Sequence, residues 1–276
     1  MTGFSVLMAV YAGDRADWLS EAIDSLRAQT RPADEIVIVE DGPVSAAVAQ
    51  VLDAAGDLPV RRVRLPHNVG LGAALQAGLL ECRHDLVVRA DSDDINEPAR
   101  FERQVSVMVA RPALSVLGGY VAEFACDPQV PYAIRTVPVG EREVARVARW
   151  RCPLNHPAVI LRKSDVERVG GYAGFTGIED YYLWGKLLAA GLRLDNLPEV
   201  LVRQRAGAAM GRRRGGWGYA RTEVALFRAF VRIGFLTWPQ AAAGLLLRLP
   251  VRIVPDGPRI WIYRHLLRRT LPGELT

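Results

Sequence analysis

An apolar run that ends in a cluster of acids is the most informative segment of this chain: Leu86-Val87-Val88-Arg89-Ala90-Asp91-Ser92-Asp93-Asp94. The apolar residues predict a short strand, and the acids follow at its carboxyl end. Three carboxylates within four residues repel one another, and folding does not require all three. A hard divalent cation would relieve the repulsion, because Mg²⁺ and Mn²⁺ prefer oxygen ligands. An acid cluster that caps a helix ahead of Pro98 is the alternative, but it would use only one aspartate.

Strands and helices alternate around this segment. Apolar or β-branched runs predict strands over 4–10, 35–39 and 60–65, and helical stripes follow the first and third of them. This alternation predicts parallel βαβ units in an α/β fold, whose ligands bind at the carboxyl ends of the strands. Glu40-Asp41 ends the second strand, so both acid clusters are expected at that edge.

The pattern after residue 94 is less regular. Asn96 is expected to cap a helix with Pro98 in its first turn, and 116–121 and 159–161 read as strands. Glu179 is expected to open a helix that ends at Gly191 in a left-handed cap. Further helices are predicted near 217–233, 238–249 and 258–269.

Charge is distributed unevenly over the 276 residues. The net charge is +5, but residues 201–276 carry 14 arginines and three acids, whereas the first 200 residues have a balance of −6. Because the first 200 residues are net acidic, we do not expect them to bind nucleic acid. The three cysteines have no CxxC spacing, which disfavours disulfides and a zinc site and predicts buried thiols. No run of about 18 apolar residues and no signal peptide is evident, so we expect a cytoplasmic location.

The order of the motifs resembles that of family 2 inverting glycosyltransferases with a GT-A fold, of the bacterial surface-polysaccharide type. The matching motifs are Val6-Leu7-Met8-Ala9-Val10-Tyr11, Asp34-Glu35-Ile36-Val37-Ile38-Val39-Glu40-Asp41-Gly42, Asn68-Val69-Gly70-Leu71-Gly72, Arg89-Ala90-Asp91-Ser92-Asp93-Asp94, His156-Pro157, Gly170-Gly171-Tyr172, Glu179-Asp180-Tyr181-Tyr182-Leu183-Trp184 and Val202-Arg203. The resemblance implies a Rossmann-like mixed sheet flanked by helices. It divides the chain into a catalytic domain, 1–206, with donor-binding (1–112) and acceptor (113–206) halves, and a basic helical extension, 207–276.

The resemblance also implies a donor site for a nucleotide-diphosphate sugar, with UDP favoured and dTDP as the other base. Asp93 would bind Mn²⁺ or Mg²⁺, and Asp91 would lie near the ribose. The remaining donor contacts would come from a base pocket and a basic loop: Ala9, Tyr11, Asp41, Asn68, Arg212 and Arg214. An Asx turn before Gly42 is the structural alternative for Asp41. Gln204-Arg205 departs from the family's aromatic-Arg pair, which leaves open which arginine reaches phosphate.

The acceptor side would be formed by Glu179 and Asp180, with Asp180 as the general base. Acids in a helix's first turn also complement its dipole, but one would suffice for that. Three further residues are acceptor candidates, namely His156, Tyr181 and Trp184. For His156, a packed core position is the alternative.

The last 40 residues alternate apolar clusters with arginines, a composition typical of an interfacial membrane helix. Helices that pack on the catalytic domain or on a second subunit fit equally well. The expected function is therefore transfer of a sugar to a hydroxyl of a glycan or lipid-linked glycan, with peripheral association at the inner membrane face and a homodimer as further expectations. The alternative is a non-catalytic nucleotide- or nucleic-acid-binding scaffold at the membrane.

Overall fold

The computed structural model describes residues 2–172, 174–206, 216–253 and 269–270. The strands are β1 (Phe4–Tyr11), β2 (Glu35–Asp41), β3 (Val60–Arg64), β4 (Leu86–Asp91), β5 (Ile95–Asn96), β6 (Leu114–Phe124), β7 (Ala133–Arg135), β8 (Ile160–Arg162), β9 (Arg193–Arg205) and β10 (Arg269–Thr270). The helices are α1 (Ala16–Arg27), α2 (Ala46–Ala54), α3 (Leu71–Glu81), α4 (Arg100–Ala110), α5 (Glu141–Ala148), α6 (Lys163–Arg168), α7 (Glu179–Ala189), α8 (Trp217–Arg232) and α9 (Trp238–Ile253).

One mixed sheet organises these elements in the order β10-β7-β6-β8-β4-β1-β2-β3. Strands β3, β2, β1 and β4 run parallel, whereas β8 pairs antiparallel with both β4 and β6. Strand β9 lies beside β6 and also pairs with β5. The predicted βαβ units are therefore confirmed, and the antiparallel strands are added beside β4. Because β1, β2 and β4 are parallel neighbours, their carboxyl ends meet at one edge.

Apolar side chains cover both faces of the sheet. One core cluster includes Leu19 and Ile23 of α1 and Phe101 of α4, and the other includes Leu75 of α3 and Trp184 of α7. Strands β1, β2 and β4 are buried on both faces, which explains their largely apolar sequences, whereas the edge strand β3 is partly exposed and carries arginines. The sheet edge that carries the acids is thus supported by packed helices on either side.

The C-terminal helices pack against the catalytic region. Phe227 and Phe230 of α8 form a core cluster with Ile178 and Tyr181, which border or belong to α7. Arg248 of α9 ion-pairs with the fully buried Glu223. The predicted helices near 217–233 and 238–249 are confirmed. Of the predicted helix at 258–269 only residue 269 is described, and it belongs to β10. No helix in the described ranges is long and apolar enough to cross a membrane.

Two local predictions are corrected. Helix α4 begins at Arg100, and Asn96 belongs to β5, where it does not cap the helix. Its backbone N–H and its Nδ2 both donate to Ser25 Oγ at 3.0 Å, so its side chain is used by a tertiary contact. Among the cysteines, Cys82 is buried but Cys126 is exposed, because it follows the end of β6. By contrast, Glu179 opens α7 and Gly191 has φ +75°, as predicted.

Candidate active site at the carboxyl edge of the sheet

Three aspartates meet where β4 ends. Ligand oxygens of Asp91, Asp93 and Asp94 all lie within 4.8 Å of one another. Asp91 forms a two-pronged ion pair with the buried guanidinium of Arg89. Asp94 is buried and accepts a hydrogen bond from the Arg205 backbone N–H at 3.0 Å. Two of the three carboxylates are therefore already committed to protein groups.

Asp93 is the carboxylate left available. Its own backbone N–H is its only hydrogen-bond donor among the described residues. Burial, followed by the negative charges of Asp91 and Asp14, raises the pKa of Asp93 to about 6. A divalent cation would reverse this unfavourable charge balance, and carboxylate oxygen is the donor type that Mg²⁺ and Mn²⁺ prefer. The residues present fit such an ion, and Asp93 offers the carboxylate oxygens that are least engaged by protein groups.

Asp14 is a fourth acid of this cluster that sequence reasoning missed. Its Oδ2 accepts the Tyr11 backbone N–H at 3.0 Å, and its side chain bonds to Ser92 within the aspartate cluster. Burial raises its pKa, with Asp91 as a further contributor. A single acid in the loop after β1 gives no sequence signal, because only the parallel pairing of β1 and β4 brings that loop to the cluster.

Two buried guanidinium groups lie behind the acids. Arg100 is almost fully buried, and it donates to the Arg89 carbonyl at 2.9 Å and to the Val159 carbonyl at 3.1 Å. Burial, and then the charge of Arg89, lowers the pKa of Arg100 to about 9. Arg100 therefore fixes the end of β4 against the segment that precedes β8, and both cations partly offset the negative charge of the cluster.

Asp41 lies at the same edge, at the end of β2. It pairs in register with Tyr11, while Ala9 pairs with Asp91. The two Asp41 carboxylate oxygens accept backbone N–H groups of Val69 at 2.7 Å and Gly70 at 3.0 Å. The carboxylate is thus held by the start of α3, and it does not form the Asx turn considered as its alternative.

The predicted base pocket comes together around Asp41. Asn68 donates from Nδ2 to the Asp41 carbonyl at 3.3 Å. Tyr11 is about half exposed (48%), and its ring lies over Gly13. The structure therefore brings Ala9, Tyr11, Asp41 and Asn68 to one edge, with an aromatic face open to solvent.

The predicted acceptor acids are the first two residues of α7. Asp180 is half-buried, and its Oδ1 accepts the Tyr181 N–H at 2.7 Å while the Cys152 thiol lies 3.7 Å from Oδ2. Glu179 is buried, no described residue donates a hydrogen bond to its Oε2, and burial raises its pKa. A Cβ built on Gly72 would lie 3.3 Å from the Glu179 Cβ, so the first turns of α3 and α7 touch.

Residues 5–170 match the family described as Glycosyl transferase family 2. The chain belongs to this family. A glycosyltransferase of Haemophilus influenzae without a characterised substrate is 41% identical over 96% of this chain and 99% of its own length. The Escherichia coli UDP-Gal:alpha-D-GlcNAc-diphosphoundecaprenol beta-1,3-galactosyltransferase is 39% identical over 97% and 98%. The Erwinia amylovora amylovoran biosynthesis glycosyltransferase AmsE is 39% identical over 94% and 97%.

Solved structures agree on the fold. The Staphylococcus aureus TarS 1–349 complex with UDP-GlcNAc has a TM-score of 0.66 at 17% identity, covering 90% of this chain and 72% of the TarS 1–349 chain. The Pyrobaculum calidifontis mannosyltransferase PcManGT, in complex with GDP-Man and Mn²⁺, has a TM-score of 0.63 at 19% identity, covering 94% and 78%. The family 2 glycosyltransferase has a GT-A-like fold with C-terminal helices. The comparisons give no support to the non-catalytic scaffold.

Three predicted acceptor residues of this glycosyltransferase occupy core positions. His156 is buried, with Nε2 3.0 Å from the Tyr172 hydroxyl, and burial together with Arg89 holds its pKa well below the usual value. Trp184 is fully buried, and the Tyr181 hydroxyl donates to the Ala148 carbonyl at 2.8 Å. Since none of these rings presents an open face, packing replaces the expected acceptor contact, and we do not carry the three into the proposed site.

The predicted phosphate-contacting arginines, Arg212 and Arg214, lie outside the described residues. Of the two described arginines that precede them, Arg203 donates to Glu97 at 2.6 Å. The Arg205 guanidinium stacks between the rings of Trp18 and Phe124. Both side chains are thus engaged by protein groups.

Proposed function

We propose that this glycosyltransferase transfers a sugar, with inversion, from a UDP-sugar to a hydroxyl of a lipid-linked glycan, with a dTDP-sugar as the second candidate donor. The observation that carries the proposal is one chain of contacts. Asp41 holds the backbone of Gly70, two residues further Gly72 touches Glu179, and Asp180 follows directly. The base-pocket acid at the end of β2 is thereby tied to the start of α3, and the start of α3 touches the start of α7, which carries the potential proton acceptor.

The donor would bind along the edge formed by β2, β1 and β4. Asp41 and Tyr11 would contact the base, Asp91 the ribose, and Asp93 a divalent cation, Mn²⁺ or Mg²⁺. Such a cation, when bound, neutralises charge on the departing diphosphate. The UDP in the names of the Escherichia coli relative and the TarS complex supports the choice of base. The PcManGT complex with GDP-Man adds a GDP-sugar to the donors that should be tested.

Asp180 would act as the general base. In an inverting transfer the acceptor hydroxyl oxygen forms a bond to the anomeric carbon as the bond to the diphosphate oxygen breaks, and the hydroxyl proton passes to the Asp180 carboxylate. Asp180 suits this role better than Glu179, because burial favours the protonated form of Glu179. Glu179 would instead bind a sugar hydroxyl, which would supply the hydrogen bond that its Oε2 does not receive from the described residues.

The acceptor class is inferred from the relatives. The Escherichia coli relative is named for a diphosphoundecaprenol-linked GlcNAc, and this chain covers nearly all of its length. An enzyme with a lipid-linked acceptor must act at the membrane surface. We therefore propose that this chain associates peripherally with the inner face of the membrane.

Two measurements test the proposal. Calorimetric titration of UDP, dTDP and GDP should show UDP binding that Mn²⁺ or Mg²⁺ strengthens, and Asp93→Asn should remove the metal dependence. Failure of any nucleotide to bind, or metal dependence that survives Asp93→Asn, would overturn the donor assignment.

The base is tested with two neighbouring isosteric variants. Asp180→Asn should lower kcat by about 10²–10⁴-fold with donor affinity retained, the range typical of a general base. Glu179→Gln, as the matched control, should act mainly on KM. A larger kcat loss in Glu179→Gln than in Asp180→Asn would transfer the role of base to Glu179.

A further inference from the structure

Helices α8 and α9 carry an exposed surface that the site does not use. Four large apolar side chains are strongly exposed there: Trp217 (69%), Trp238 (65%), Leu246 (75%) and Leu247 (68%). Exposure of tryptophan and leucine side chains to water is unfavourable, and a partner that covered them would be stabilised by burial of their apolar surface. We define the outer face as these four residues together with the exposed Arg221, Arg228 and Arg232 of α8 and Ala242 of α9.

The spacing places all of these residues on one stripe of each helix, except Leu247, which lies about 100° further round α9 than Leu246. On α8, Trp217, Arg221, Arg228 and Arg232 recur at intervals of four, seven and four residues, opposite the buried Leu226 and Phe230. On α9, Trp238, Ala242 and Leu246 recur every four residues. Only five residues join the two helices. The stripes therefore run along neighbouring helices, each about 24 Å long at 1.5 Å per residue.

The charge of the outer face has one sign. The sequence of α8 and α9 contains a single acid, Glu223, which is fully buried and ion-paired with Arg248. The exposed arginines of α8 therefore have no acid beside them on either helix. Arginine with tryptophan and leucine, and without acids, is the composition that lies in the interface of an anionic bilayer.

A second copy of the chain fits this face less well. In a two-fold dimer the same patch meets itself, so the arginine rows of the two copies would approach each other. Like charges at an interface oppose association, whereas anionic headgroups would complement them. The positive charge of the outer face therefore favours an anionic bilayer over a second copy of the chain.

The outer face is fixed to the acceptor side of the enzyme. Phe230 lies in edge contact with Tyr181 of α7, and Arg248 donates to the Trp150 carbonyl at 3.0 Å. Tyr181 directly follows Asp180. We infer that the outer face of α8 and α9 docks on a bilayer that contains anionic lipid, and thereby holds the start of α7 at the membrane surface. The inference extends the proposed function, but docking is measurable without sugar transfer.

The test is flotation of the full chain with vesicles of phosphatidylcholine alone or with phosphatidylglycerol. Each basic residue near an anionic surface contributes roughly fivefold in binding, so Arg221→Gln/Arg228→Gln/Arg232→Gln should weaken binding to the mixed vesicles on the order of 100-fold. Trp217→Ala/Leu246→Ala should weaken binding to both vesicle types. Because all these side chains are exposed, the variants should keep the wild-type circular dichroism and melting temperature.

A control with the same change in net charge is Arg103→Gln/Arg146→Gln/Arg168→Gln, on three exposed surface pairs away from the outer face. It should bind vesicles like the wild type. If both triple variants lost vesicle binding equally, net charge alone would explain the effect and the inference would be overturned. It would also be overturned if phosphatidylglycerol did not strengthen vesicle binding by the wild-type chain. Light scattering completes the test: a wild-type dimer that Trp217→Ala/Leu246→Ala converts to monomers would assign the face to a second copy. A chain that binds vesicles but no nucleotide would contradict the proposed function alone.

Discussion

Buried His156 should make the stability of this enzyme fall in mild acid. Its imidazole is 8% exposed and lies against the Tyr172 hydroxyl, and the Arg89 cation is among the groups that oppose its protonation. The native state therefore does not bind a proton on this ring near neutral pH. An unfolded chain does so below a pKa of about 6.5.

The sign and size of the effect follow from this difference. Below about pH 6.5 the His156 imidazole binds a proton in the unfolded state but not in the native state. The free energy of unfolding therefore decreases as pH falls. Each pH unit below that pKa is worth about 1.4 kcal/mol, which gives about 2 kcal/mol between pH 7 and pH 5.

Urea unfolding at pH 5, 6 and 7 measures this loss. His156→Gln keeps a polar group near Tyr172 but cannot titrate, so its loss between pH 7 and pH 5 should be about 2 kcal/mol smaller than that of the wild type. His67→Gln, at an exposed histidine, should behave like the wild type. If His156→Gln and the wild type lose stability in parallel, the ring does bind a proton in the native state and the reasoning is refuted.

Three further variants test the packing and the donor pocket. Gly185→Ala would press a Cβ against the Phe230 ring, and this overpacking between α7 and α8 should cost about 1–3 kcal/mol, measured by thermal melting; an unchanged melting temperature would contradict the packing. Arg248→Met would remove the cation beside buried Glu223 and should cost about 3–5 kcal/mol in urea unfolding, and a loss below about 1 kcal/mol would show that the pair is dispensable. Asp41→Asn would turn an amide N–H₂ toward a backbone N–H and should raise the donor KM about 10–100-fold at near-constant kcat, whereas a change confined to kcat would remove Asp41 from the donor pocket.

The elements that depend on local pattern were predictable from the sequence. Alternating apolar runs and helical stripes predict the parallel strands, and the acids at the ends of β2 and β4 lie at one edge of the sheet, as expected. Glu179 at the start of α7 and Gly191 after it also followed from local rules, because the capping conformation depends on a few neighbouring residues.

Contacts between distant segments were not predictable. Asn96 has the side chain of a helix cap, yet a hydroxyl 71 residues away, that of Ser25, takes its hydrogen bonds. Asp14 joins the aspartate cluster only through strand pairing. The buried Arg100 depends on acceptors from several segments, which are the Arg89 and Val159 carbonyls and the side chains of Asn96 and Gln104. Tyr181 is an acceptor candidate by its position after Asp180, but the packing of α8 on α7 places it in a core.

The contact between Gly72 and Glu179 links two positions that lie 107 residues apart in the chain. Any side chain at position 72 would press on the Cβ and Cγ of Glu179 and move α7 relative to α3. Among homologous enzymes, the two positions should therefore change together: those with alanine or serine at the first should carry a shorter residue at the second. A substitution at position 72 would then alter the acceptor side through α7. An exchange of loops between relatives would succeed only if positions 72 and 179 were exchanged together.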